Sequence, residues 1–157
     1  MSKNTEPKIT EPKITEPKIT GPKITGVLET ALYVEDLDRS VRFFREVIGL
    51  STMLETETLA AFDAGGQTVL LLFRRGGSTE DSHSDMGVIP GHDGSGPLHM
   101  AFAISADSYD AWCAHLRAAG VVERGEMRWR AGGRSFYFED PDGHVLEVAT
   151  PRLWPNY

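Results

Sequence analysis

Apolar and polar side chains alternate along VLETALYV, residues 27–34. Leu28, Leu32 and Val34 fall on one side and Glu29, Ala31 and Tyr33 on the other, the period-2 signature of a strand with one buried face. The period then lengthens. In EDLDRSVRFFREVIGL, residues 35–50, Val41, Phe44, Val47 and Ile48 give one apolar face, Asp36 is placed to cap the first turn and Gly49 to end the last. Strand-like TLAAFDAGG and QTVLLLF follow. The same order begins again with PLHMAFAI, residues 97–104, and continues with helix-patterned ADSYDAWCAHLRAAG, residues 106–120. It closes with VVERGEMRW, RSFYFED and HVLEVAT, all readable as strands. Each half therefore reads as strand, helix and three strands. This predicts an α+β domain over residues 25–157, built as one βαβββ module at 25–75, a linker at 76–96 and a second module at 97–150.

The strand VLEVA raises a chemical question. An ionised carboxylate in a buried strand is strongly unfavourable unless it is paired or bound to a metal, so Glu147 needs a partner. Superimposing the halves on their glycines sets Glu29 over His99, and Gly66-Gln67-Thr68-Val69-Leu70 over Gly143-His144-Val145-Leu146-Glu147, with Leu70 matching Glu147. Glu29, His99 and Glu147 are then three metal-capable side chains, each sharing its strand face with small residues that leave room for a cavity. In DPDG, Pro141 and Gly143 suit a tight turn, and counting outward from it sets Tyr137 opposite Glu147. Tyr137 and Ser135 would line the cavity while Phe136 and Phe138 enter the core.

Composition narrows the setting. The chain has 157 residues and a net charge of −7, which argues against nucleic acid or an anionic membrane as the main partner. No apolar run approaches a membrane span, no secretory leader of the usual pattern is seen, and the single cysteine, Cys113, fits a reducing cytoplasm. Residues 6–25 repeat EPKIT three times and then GPKIT, so residues 1–24 read as an extended, polyproline-like tail without chemistry of its own. Between the modules RGGSTEDSHSDMGVIPGHDGSGP is a long connection, a lid or a disordered segment, in which His83 and His92 could approach a site or simply be solvated.

LYVEDLDRSVRFFREVIGL, GPLHMAFAI and SFYFEDPDGHVLEV together resemble the vicinal oxygen chelate superfamily, which includes glyoxalase I, fosfomycin-resistance proteins, bleomycin-resistance proteins and extradiol dioxygenases. The resemblance covers residues 26–150. It implies paired βαβββ modules with curved mixed sheets, one divalent metal ion per site, and a homodimer in which Glu29 of one chain meets His99 and Glu147 of the other. With two carboxylates and one imidazole, Mn, Zn, Ni or Mg suits the site better than iron–oxygen chemistry, although Fe stays open. Glyoxalase I itself has a fourth ligand where Leu70 was matched, which disfavours that identity. The function implied is a metal-dependent lyase, isomerase or transferase acting on a small oxygen-bearing substrate. Tyr137 and Tyr33 would donate hydrogen bonds to it, Arg134 would neutralise an anionic group, and Glu29 could shuttle a proton. The rival from another class is a metal-free protein that sequesters a small molecule in the same cleft, with Trp112, Trp129 and Trp154 as aromatic surface.

Overall fold

A computed structural model describes residues 21–157, so most of the repeated tail lies outside the described residues. The first module runs β1 (Glu29–Val34), α1 (Leu37–Glu46), β2 (Ser51–Glu55), β3 (Leu59–Asp63) and β4 (Val69–Arg74). A short hairpin, β5 (Ser82–Ser84) and β6 (Gly87–Ile89), occupies the linker. The second module runs β7 (His99–Ala103), α2 (Tyr109–Ala118), β8 (Glu123–Arg128), β9 (Arg134–Glu139) and β10 (Val145–Ala149). Each module forms a four-stranded mixed sheet, ordered β1-β4-β3-β2 and β7-β10-β9-β8. In both, the first strand pairs parallel to the last. No helix among the described residues is long and apolar enough to cross a membrane.

The helices form where the periodicity places them. Asp36 accepts a hydrogen bond from the backbone N–H of Arg39 at 3.0 Å, capping α1, which buries Leu37, Val41 and Phe44. After α2, which buries Tyr109, Cys113 and Leu116, Gly120 turns the chain at φ 73°. Leu32, Val34, Leu70 and Leu72 of one sheet and Phe136, Phe138, Leu146 and Val148 of the other join these helices in one continuous core. Alternate residues on β1, β7 and β9 are left on the opposite, open face.

Two buried polar side chains fasten the modules together. The Asp142 carboxylate accepts from the Glu35 backbone N–H (2.8 Å), the Ser40 hydroxyl (3.0 Å) and the Arg39 guanidinium (3.2 Å). Burial raises the Asp142 pKa, but these bonds outweigh it and hold the group below its ordinary value. His144, fully buried, accepts from the Leu98 N–H at Nδ1 (3.0 Å), so it is the neutral imidazole whose Nε2–H donates to the Tyr33 carbonyl (3.0 Å).

The register corrects the overlay of the two halves. Glu29 pairs with Val69 as His99 pairs with Val145, so the residue equivalent to Glu147 is Leu71, not Leu70. Leu70 is fully buried on the helix side. Matching glycine to glycine slipped the halves by one residue, because the left-handed position held by Gly143 (φ 79°) is held in the first module by Gln67 (φ 69°). The matched position is still apolar, with Leu71 in place of Leu70.

Candidate metal centre

Glu147 lies on the open face of the second sheet, opposite Tyr137 on β9 and Ala101 on β7. It is only 3% exposed. One carboxylate oxygen, Oε1, is buried with no hydrogen-bond partner, and Oε2 stands 3.4 Å from His99 Nε2. His99 Nδ1 lies 2.9 Å from the Val145 carbonyl. A carbonyl only accepts, so Nδ1 carries a proton and Nε2 is the ring atom turned toward the carboxylate. Oε2 and the ring nitrogen thus face one another on the open face, with Oε1 left over. The arrangement, an imidazole oriented by a backbone carbonyl and aimed beside an orphaned carboxylate oxygen, suits a divalent metal ion.

Tyr137 forms the next wall, its ring centroid 6.3 Å from that of His99. Burial, and after it the negative charge of Glu147, raises the Tyr137 pKa, so the phenol stays protonated near neutrality and keeps a proton to donate. The small side chains of Ala101, Ala103 and Ala149 share this face.

Glu29 sits on the first sheet, exposed, at the position that corresponds to His99 in the repeat. Among the described residues no three His, Cys, Asp or Glu side chains converge, so one chain brings together His99 and Glu147 but not Glu29. Tyr33 shares the open face of the first sheet with Glu29, around a cavity of about 230 Å³. Its hydroxyl is 2.8 Å from His92 Nδ1 and its ring stacks on Phe73 at 5.8 Å. The linker histidine His92 thus reaches the face of the candidate site. His83 does not, remaining exposed in β5.

Arg134 is placed differently from expectation. It shares parity with Phe136 and Phe138, so it projects to the helix side, where its guanidinium meets Asp110 at 2.9 Å and lies 3.7 Å above the Tyr109 ring. It does not line the open face. Of the three tryptophans that the sequence offers as aromatic surface, Trp129 and Trp154 edge this face. The Trp129 indole N–H donates to the Ser135 hydroxyl (2.8 Å), and Trp154, in the C-terminal segment, stands over Ala101, Ala103 and Ala149.

Comparison with known proteins fits this architecture. The family model for the Glyoxalase/Bleomycin resistance protein/Dioxygenase superfamily matches residues 26–148. The chain is 30% identical over 121 residues to the metallothiol transferase FosB of Staphylococcus haemolyticus, covering 76% of this chain and 79% of that one. It is 32% identical over 117 residues to the glutathione transferase FosA of Serratia marcescens, covering 74% of each. The crystal structure of a lactoylglutathione lyase from Agrobacterium tumefaciens superposes with a TM-score of 0.77 at 32% identity, covering 85% of this chain and 99% of that chain. The chain belongs to the glyoxalase, bleomycin-resistance and dioxygenase superfamily.

Proposed function

We propose that this protein is a divalent-metal-dependent enzyme acting on a small substrate that presents two neighbouring oxygens. Its working form is a homodimer in which Glu29 of one protomer completes the site begun by His99 and Glu147 of the other. The observation that carries this reading is the buried Glu147 carboxylate, one oxygen without a partner and the other 3.4 Å from Nε2 of an imidazole held by the Val145 carbonyl. The exposure of Glu29, at the repeat-equivalent position on a sheet that its own chain leaves open, supports a second protomer as its destination.

A bound divalent cation acts as a Lewis acid, polarising substrate oxygens in the positions that three protein ligands leave open. Two carboxylates and one imidazole suit Mn(II), Zn(II), Ni(II), Mg(II) or Fe(II). Tyr137, kept protonated by its surroundings, donates a hydrogen bond to the substrate oxygen that gains charge. Tyr33, oriented by His92, offers a second hydroxyl on the face that also bears Glu29. Glu29, exposed on the first sheet, is the one placed to take up a proton. Among lyase, isomerase and transferase chemistry, the relatives named as metallothiol and glutathione transferases favour transfer of a thiol to the substrate.

The test is metal content per chain in protein purified without chelators or a histidine tag, read by mass spectrometry. Near-stoichiometric metal in the wild type and none in Glu29→Ala or Glu147→Ala is expected. Unfolding and re-associating those two variants together should restore roughly a quarter of the sites, because half the dimers then carry one intact site and one doubly broken site. No metal in the wild type, even after dialysis against Mn(II), Ni(II), Zn(II) and Fe(II), would sink the enzyme reading in favour of metal-free sequestration. Metal retained in Glu29→Ala would sink the shared site.

A further inference from the structure

Two cavities that share Leu153 and Trp154 lie along the C-terminal segment, the first of them beside the candidate metal centre. The first, about 270 Å³, has a floor of Ala101, Ala103 and Ala149, with Trp154 and Tyr157 of the C-terminal segment as its wall. The second, about 570 Å³, lies on the other side of the same segment, between Trp129 and Trp154. This larger volume is in the range that small-molecule sites occupy.

The wall is built rather than draped. The Tyr157 hydroxyl donates to the Ala149 carbonyl at 3.0 Å, and the Arg152 N–H donates to the Tyr157 carbonyl at 2.7 Å. Gly133 at the end of the β8–β9 turn lies so close to this segment that a Cβ there would meet the Arg152 carbonyl carbon at 3.0 Å. Trp129 is pinned by its bond to Ser135. Yet the Trp154 ring is 65% exposed, although nothing about so large an apolar surface favours leaving it in water. The alanine floor is continuous with the centre. Ala101 pairs directly with Glu147, and Ala149 follows Glu147 by two residues on the same face, about 7 Å along the strand.

We propose that Trp154, Trp129 and Tyr157 form an aromatic subsite that receives a planar apolar arm of the same substrate whose oxygens reach His99 and Glu147. The inference rests on the metal-site reading for the position of those oxygens. The substrate class it names is a small oxygen chelator carrying an aromatic or comparably flat apolar group. Rigid rings take up such a group with little entropy to lose, and offset stacking adds to the burial. The three alanines admit the arm where larger side chains would fill the space.

Two hydroxamates separate the parts of the claim, since each offers the same pair of chelating oxygens and they differ only in the arm. Acetohydroxamate and benzohydroxamate are titrated by calorimetry into the Mn(II)-loaded protein. The subsite requires benzohydroxamate to bind at least about tenfold more tightly. Trp154→Ala and Ala103→Leu should each cut that preference to less than about twofold while leaving acetohydroxamate affinity unchanged; both positions are exposed on the open face, so the fold is not at stake. A preference near one in the wild type, or one that survives both substitutions, overturns the subsite. Absence of acetohydroxamate binding overturns the metal reading instead. The subsite is then read on metal-free protein from energy transfer between tryptophan and anilinonaphthalene sulfonate, whose affinity must fall at least about tenfold in both variants for the proposal to stand.

Discussion

Replacing Glu147 by Gln should change stability in opposite directions with and without metal. Without metal, the wild type buries an ionised carboxylate at 3% exposure, with Oε1 unpartnered and Oε2 set against the His99 ring at 3.4 Å. Leaving a buried polar group unsatisfied costs about 1–3 kcal/mol, and more when it is charged. The His99 contact at the half-exposed edge of the site recovers part of this, so Glu147→Gln, close in shape but neutral, should stabilise the metal-free protein by about 1–2 kcal/mol. For a domain of this size 1 kcal/mol moves Tm by about 2–4 °C, which predicts a rise of roughly 2–8 °C. With metal the order inverts. An ion held at 100 times its Kd stabilises the wild type by about 2.7 kcal/mol, and the variant, lacking an anionic ligand, should gain almost none of it. Differential scanning calorimetry at neutral pH, once with chelator and once with excess Mn(II), measures both arms. A Glu147→Gln variant that melts several degrees below the wild type in chelator would refute the reasoning, because Glu147 would then be a satisfied structural group and not a carboxylate awaiting a cation.

Other substitutions test other parts of the structure. Asp142→Asn should destabilise the protein by about 1–3 kcal/mol at neutral pH by removing the charge that binds Arg39 and the acceptor that ties the modules. Because the folded-state pKa of Asp142 is lowered, its contribution is complete above the unfolded value near 4 and is lost as pH falls through the folded value. The gap between variant and wild type in urea midpoints should therefore narrow below about pH 4; a gap independent of pH would mean the charge is not what matters. Gln67→Gly, at the non-glycine left-handed position, should be neutral or stabilise by up to about 1 kcal/mol, whereas Gly143→Ala at the matching turn should cost about 1–2 kcal/mol. Both are read by chemical denaturation. Tyr137→Phe should leave Mn(II) affinity unchanged while weakening acetohydroxamate binding about tenfold. Equal loss of both would place the hydroxyl among the metal's own supports.

The sequence exposed the elements whose two faces differ most. β7 and β9 alternate large apolar and small or polar residues, so the faces of His99, Tyr137 and Phe136 could be assigned before any coordinates. β2 offered no such contrast: it is mostly exposed, and a bulge between Thr52 and Leu54 breaks its period, so only the symmetry of the halves implied it. The β5–β6 hairpin, with three exposed residues in each strand, was equally silent. The Leu70 slip came from taking glycine as the mark of a left-handed turn when Gln67 had adopted that conformation. Arg134 was a different kind of miss. Its parity with Phe136 sets it on the helix side, and a place at the start of the strand does not change that. Trp154 could be named as aromatic surface but not located, since a segment held by backbone carbonyls and one tyrosine hydroxyl has no periodicity to read.

The strict alternation on β7, β9 and β10 has a consequence for how such a protein changes. Residues that carry the core and residues that meet a ligand are interleaved along the same strands but answer to different neighbours. Phe136, Phe138, Leu146 and Val148 are constrained by close packing in the core, while Tyr137, Ala101 and Ala103 lie on the opposite face of the same sheet. A substitution in the second group can alter what is bound with little effect on whether the chain folds. One backbone can in this way be refitted for unrelated reactions, or for binding with no reaction, as the breadth of this superfamily's name implies. Glu147 is where the separation breaks down, being a ligand-facing residue that is also buried. There, a change of chemistry and a change of stability arrive together.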